Sequence, residues 1–195
     1  MAEKHRAQHK KGEVVFRSAT IDQPVVDVEA RTVEMAFASE HPVTRWDWVE
    51  VLDMAGMNTE RLATGRAALL MEHNRSDQVG VVQSVSLGDD NVWRAVVRFS
   101  RSPRGEEIFQ DVIDGIRSLV SVGYTIDEIV LDKQENGEST YRVTKWTPHE
   151  ISIVSIPADP TVGVGRSLET PQQPETPAAA PQVEPSTVPA TPSTR

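Results

Sequence analysis

Hydrophobic positions in this 195-residue chain are concentrated in a central block, with polar stretches at both ends. Glu13 to Ser18 and Arg31 to Ala38 mix alternating and continuous apolar residues, a pattern that predicts strands. Val79 to Leu87 and Val92 to Phe99 are Val-rich runs separated by Gly88-Asp89-Asp90-Asn91, residues that tolerate turn backbone, and together they predict a β-hairpin. Thr59 to Leu70 begins with helical spacing, but Gly65 interrupts it. The apolar run Ala67 to Met71 then leads into His73, so the pattern leaves that boundary open.

One helix is well marked. Ser102 is a natural N-cap, Pro103 fits the first helical position, and Glu106 and Glu107 favour the positive end of the helix dipole. Ile108, Val112 and Ile116 at four-residue spacing, with Ile113 beside them, predict its buried stripe. The period then changes to two at Ser118 to Ile126. A further strand is expected near Tyr141 to Trp146 across the polar loop 132–137, and another at Glu150 to Ile156, closed by Pro157. Mostly strands with one clear helix predict a β-rich α+β fold, in the form of a barrel with helix packed on it.

Composition locates the parts that do not pack. Lys4, Arg6, Lys10 and Lys11 stand in an opening stretch, residues 1–12, with hardly an apolar side chain, which predicts a flexible basic arm. Seven of the 13 prolines fall after Arg166, among Ala, Thr, Ser and Gln, which predicts an extended, disordered Pro-rich tail over 168–195. The net charge of -9 argues against a nucleic-acid partner, because phosphate contacts need concentrated Lys and Arg. No run approaches the roughly 18 apolar residues of a membrane span, and the charged N-terminus lacks a signal-peptide pattern, so no membrane association is expected. With no cysteine there is no disulfide, thiolate metal site or cysteine nucleophile, and the pattern asks for no cofactor.

Candidate chemistry is sparse. Ser121 shares a strand face with Leu119 and Gly123, and Gly123 removes one side chain from that face, allowing close approach of another backbone. His73 lies between an apolar run and a polar turn, where a ring can face a cleft while the chain behind it is anchored. His5 and His9 lie in the arm and His41 precedes Pro42 in a loop, which leaves His73 and His149 as candidate bases. A seryl nucleophile needs a base, a group fixing that base's tautomer, and donors for the oxyanion. Composition and period alone do not select Ser121 over Ser118.

Several segments, taken in order, carry a resemblance: Arg45–Leu52 (RWDWVEVL), Leu69–Asn74 (LLMEHN), Gly80-Val81-Val82, the helix ending in DVIDGI, Ser118–Tyr124 (SLVSVGY) and Trp146–Arg166 (WTPHEISIVSIPADPTVGVGR). Over about residues 14–167 the chain resembles the caudovirus prohead serine proteases, capsid-maturation enzymes whose fold is related to the herpesvirus assemblin-type proteases. The resemblance implies a herpesvirus-protease-like β-barrel with packed helices, forming a prohead protease domain at 13–167. It places His73 on the family's catalytic histidine and Ser121 on its nucleophile. Glu150, opening the EISIV segment, matches the acidic third member. His149 competes for that position, because the herpesvirus relatives use a second histidine there, and adjacent strand residues face opposite ways. Asp77 ranks below both.

The activity so implied is that of a serine endopeptidase working without a cofactor. Its implied substrates are a scaffolding protein or the scaffold segment of the major capsid protein, and the protease itself, with a homo-oligomer as a further implied partner state, inside the assembling prohead in the host bacterial cytoplasm. Two other classes compete with it. One is a catalytically silent scaffold or capsid-assembly module of the same fold. The other is a metal-dependent hydrolase built on His73, Asp77 and Glu150, although no HExxH-type spacing is present.

Overall fold

The computed structural model describes residues 14–20, 25–45, 47–135 and 137–156, of which 14–20 are described by their backbone alone. The expected basic arm and Pro-rich tail lie outside the described residues. Among the described residues there are ten strands and two α-helices: β1 (Val14–Thr20), β2 (Val26–Asp27), β3 (Thr32–Ala38), β4 (Val43–Thr44), β5 (Trp48–Leu52), α1 (Glu60–Ala63), β6 (Ala68–Met71), β7 (Asn74–Leu87), β8 (Trp93–Phe99), α2 (Pro103–Ile113), β9 (Leu119–Glu135) and β10 (Glu138–Ile153). They form one sheet in the order β1-β9-β10-β6-β7-β8-β3-β2, with β5 also paired to β10 and β4 to β5. Among the described residues every ladder is antiparallel except two. β10 runs parallel to β5 in its first half and to β6 in its last three residues.

The expected β-rich α+β class holds, but the expected barrel does not. Among the described residues the ladder path is open, ending at β1 on one side and at the two-residue β2 on the other. β1 and β3 come alongside each other, yet no ladder joins them. Closure needs paired end strands, and among the described residues β2 pairs β3 only at Thr32 and Val33 while no ladder joins β1 to the rest of that edge.

The hairpin expected around Gly88 is β7–β8, with Asn91 at φ +58 and the turn closed by Gly88 N–H to Val92 O and Asn91 N–H to Gly88 O, both 3.0 Å. Helix α2 starts as its sequence signals, since Ser102 Oγ accepts the Gly105 N–H at 3.1 Å. It ends one turn earlier than the apolar spacing suggests. Gly115, at φ +72, reverses the chain, and the Ile116 and Gly115 N–H groups bond back to Asp111 O and Val112 O. Ile116 is therefore 74% exposed, while Ile108, Phe109 and Val112 are buried.

Two further expectations change. The helical spacing after Thr59 survives only as α1, which Gly65 (φ +69) ends before β6 begins. The separate strands expected at 141–146 and 150–156 are one strand, β10. Its register against β9 slips at Val143/Lys145, Lys145/Trp146 and Pro148/Glu150, and those irregularities break the two-residue period that sequence reading relies on.

The core is one cluster between the faces of this curled sheet. Its largest members are Trp146, Tyr124, Phe37, Phe99 and Phe109. Tyr124 and Trp146 meet edge to face at 5.5 Å, and Phe99 packs on Phe109 at 5.1 Å, locking α2 to β8. The 3-10 turn Met54–Gly56 after β5 is tied to the same core: Trp146 Nε1 donates to Asp53 O and Trp93 Nε1 to Met54 O, both 2.8 Å.

Gly56 in that turn lies against β10, where an added Cβ would stand 2.0 Å from Thr144 O. Gly56→Ala is expected to destabilise the domain by about 1–3 kcal/mol through overpacking against backbone that cannot yield. An unchanged thermal midpoint in that variant would show that the β5–β10 contact is looser than this geometry.

Candidate active site

Three strands set the site. Ser121 lies in β9 between β1 and β10, with Ser18 opposite it on one side and Ser152 on the other. Glu150 lies in β10, two residues before Ser152. His73 comes from the tight turn between β6 and β7, where Met71 pairs with Asn74 across Glu72 and His73. Since β6 runs parallel to the end of β10, with Ile153 beside Met71, the turn projects over the strand that carries Glu150.

That turn is strained. Both Glu72 (φ +49) and His73 (φ +56) adopt left-handed backbone, the conformation a two-residue hairpin of this hand requires and one usually given to Asn or Gly. Neighbouring groups hold it. Glu72 N–H donates to Ile153 O at 2.9 Å, and the Glu72 carboxylate accepts from Ser155 N–H at 2.7 Å and Ser155 O–H at 2.5 Å. Left-handed non-glycine residues persist where surrounding contacts over-determine them, and such sites cluster at functional positions. Sequence reading missed this clamp because Glu72 and Ser155 look like ordinary exposed polar residues and lie 83 residues apart.

His73 Nδ1 lies 2.7 Å from Glu150 Oε1, and His73 Nε2 lies 2.8 Å from Ser121 Oγ. The chemistry of the partners fixes the tautomer. An ionised carboxylate only accepts, so Nδ1 carries the proton and donates to Glu150, leaving the Nε2 lone pair to accept the Ser121 O–H. Ser121 is fully buried, while the His73 and Glu150 side chains keep 18% and 13% of their exposure. A cleft of about 390 Å³ opens beside the imidazole, walled by Leu70, Arg61, Arg75 and His149 with His73 and Glu150. The arrangement can activate a hydroxyl: Ser121 supplies an oxygen, His73 a base in contact with it, and Glu150 an orienting anion.

The remaining candidates have other partners. His149 lines the cleft wall, and its main-chain carbonyl accepts from Arg61 Nε at 2.7 Å. Burial, followed by the nearby positive charge of Arg61, holds its ring below the ordinary histidine value of 6.5. Asp77 pairs with Arg104 of α2 at 3.0 Å, so the set His73, Asp77 and Glu150 expected of a metal-dependent hydrolase is not brought together. Among the described residues no three His, Cys, Asp or Glu side chains group as a metal site would require.

A serine hydroxyl, an imidazole and a carboxylate stand in hydrogen-bonded series on a β-rich α+β sheet, an arrangement of the kind hydrolase sites use. The chain belongs to the caudovirus prohead serine protease family, whose model matches residues 49–174. Over 140 residues it is 49% identical to the major capsid protein of Halomonas phage phiHAP-1. That alignment covers 69% of this chain, which spans only 23% of the length of that relative. The structure of the bacteriophage T4 capsid assembly protease, gp21, superposes with a TM-score of 0.55 at 10% identity. It covers 74% of this chain and 98% of the T4 chain, a likeness of fold.

In an NMR pH titration the His149 ring is expected to protonate at a midpoint below 6.5, and Arg61→Gln should move that midpoint upward. Because the folded value is depressed, the corresponding stability is complete above the unfolded value and falls as pH drops from there toward the folded one. A His149 midpoint at or above 6.5 would contradict the placement of the ring.

Proposed function

We propose that the chain is a serine endopeptidase of phage capsid maturation in which Ser121 is the nucleophile, His73 the general base and Glu150 the carboxylate that orients it. The observation that carries this reading is the unbroken series Ser121 Oγ, His73 Nε2, His73 Nδ1, Glu150 Oε1, with contacts of 2.8 and 2.7 Å. Ser121 Oγ attacks the scissile carbonyl carbon while its proton passes to His73 Nε2. Glu150 stabilises the imidazolium formed in that step. The same proton is then delivered to the departing amine as the C–N bond breaks, leaving an acyl-Ser121 ester. Water, deprotonated by His73, hydrolyses the ester and restores the serine.

The substrate we assign is a scaffolding protein or the scaffold segment of a major capsid protein, and the protease itself, cut inside the assembling prohead in the bacterial host. Family membership supports this assignment, as does identity with part of a protein named as a major capsid protein. The peptidase domain in this reading occupies 13–167, flanked by the basic arm 1–12 and the Pro-rich tail 168–195. A proline-rich sequence favours backbone that a cleft can take up, so we assign the tail to docking, self-cleavage or both.

Ser121→Ala and His73→Ala are expected to abolish processing of co-expressed capsid protein. Glu150→Gln should lower kcat by about 10³- to 10⁴-fold while the protein stays folded, as expected when the orienting anion is lost. Normal processing by Ser121→Ala would favour the other reading, an assembly module of the same fold that does not cut. For the tail, mass spectrometry of active protein is expected to reveal trimming after Arg166 that Ser121→Ala prevents. A tail that stays intact in active protein would remove the self-cleavage role.

A further inference from the structure

Ser152 lies directly opposite Ser121 in the β9–β10 ladder and beside Leu70 of β6 in the parallel one. It is fully buried between Ile151 and Ile153, which are buried as well. A buried hydroxyl needs partners, and both of the partners described for this one belong to the site. Ser152 O–H donates to Glu150 Oε2 at 2.5 Å, and Ser152 Oγ accepts the His73 main-chain N–H at 3.2 Å. The directions are forced, since an amide N–H can only donate and a hydroxyl has a single proton for the carboxylate.

From this geometry we infer that Ser152 is a positioning residue for the His73–Glu150 pair, an inference that rests on the serine peptidase reading. The two carboxylate oxygens have separate tasks: Oε1 receives the imidazole and Oε2 receives Ser152. The terminal torsion of a glutamate is broad and has little preference of its own, so the second bond is what sets the plane of the carboxylate. The same hydroxyl anchors the backbone of His73, whose left-handed conformation needs external support. Ser152 thereby ties the anion and the imidazole-bearing residue to a single atom on the strand that faces the nucleophile.

The test uses the full-length protein with Ser152→Ala, Ser152→Cys and Ser152→Thr. Ser152→Ala should lower kcat about 10- to 100-fold, the usual scale for misplacing a catalytic group by a fraction of an ångström to an ångström. KM should stay within about two-fold, because substrate contacts are untouched. In the same variant the far-downfield proton resonance of the His73 Nδ1–H, which reports its bond to Glu150, should weaken or move upfield. Ser152→Thr keeps the hydroxyl and should restore both. Ser152→Cys is close to isosteric but a poor donor, and it carries the test if the alanine variant fails to fold.

Wild-type kcat and an unchanged His73 resonance in Ser152→Ala or Ser152→Cys would overturn the inference. So would activity lost equally in the threonine variant with the resonance unmoved, since that outcome is packing alone. Failure of the peptidase reading has a different signature. In that case Ser121→Ala would match wild type and no serine-directed fluorophosphonate would label the protein, while the resonance would still decide the role of Ser152.

Discussion

Everything at the site depends on the register of β10 between its two neighbours. Against β9, Ser152 stands opposite Ser121, and against β6, Ile153 stands beside Met71. The first pairing brings the Glu150 strand alongside the Ser121 strand, and the second brings the His73 turn over both. A slip of one residue would send Glu150 to the other face of the sheet. Register is held where one face is buried, and here Val120, Val122, Ile151 and Ile153 are all in the core. The bulge at Pro148/Glu150 belongs to the same constraint, for it resets the pairing immediately before Glu150 enters the site.

On the far side of β9 a second polar group performs a structural task. Glu50 of β5 is fully buried, accepting the Tyr124 O–H at 2.5 Å and Arg45 Nη2 at 2.9 Å, while Arg45 Nη2 also donates to Tyr124 Oη at 2.9 Å. Burial works against the charge on Arg45, but the Tyr124 and Glu50 oxygens outweigh it and hold the guanidinium above its ordinary value. Such a cluster contributes less to stability than its geometry suggests, since desolvation offsets much of the attraction. Removing one member is nevertheless costly, because it strands the others without compensation. Tyr124 is three residues from Ser121, so the cluster anchors β9 to β5.

The sequence made some of this legible and hid the rest for identifiable reasons. Local signals were dependable. The cap at Ser102, the turn at Gly88 and the Val-rich hairpin strands appear where the residue types put them. Ser121 and His73 were not selected by composition or period. An ordered resemblance selected them, and the structure places them in contact. Strand alternation limited the position facing His73 to one of Glu150 and His149, but choosing between them requires a register set by chain 77 residues away. No strand was expected at β5 because Glu50 interrupts its apolar run; Glu50 is buried through Arg45, just ahead of β5, and Tyr124 on distant β9. Barrel closure was misjudged because it depends on whether the two end strands pair, which no local pattern encodes.

The two parallel ladders of β10 impose an order in time. β5 at residues 48–52 waits for residues 139–143, and β6 at 69–71 waits for 151–153, so each pairing closes a loop of some eighty residues or more. Contacts so distant in sequence form late, after the chain entropy of the loop has been overcome. During synthesis the ribosome releases His73 and Ser121 well before Glu150, and the strand that aligns them is the last of the sheet to emerge. A growing chain therefore carries Ser121 and His73 before the strand that aligns them is in place, and the contact between them first becomes available when β10 docks.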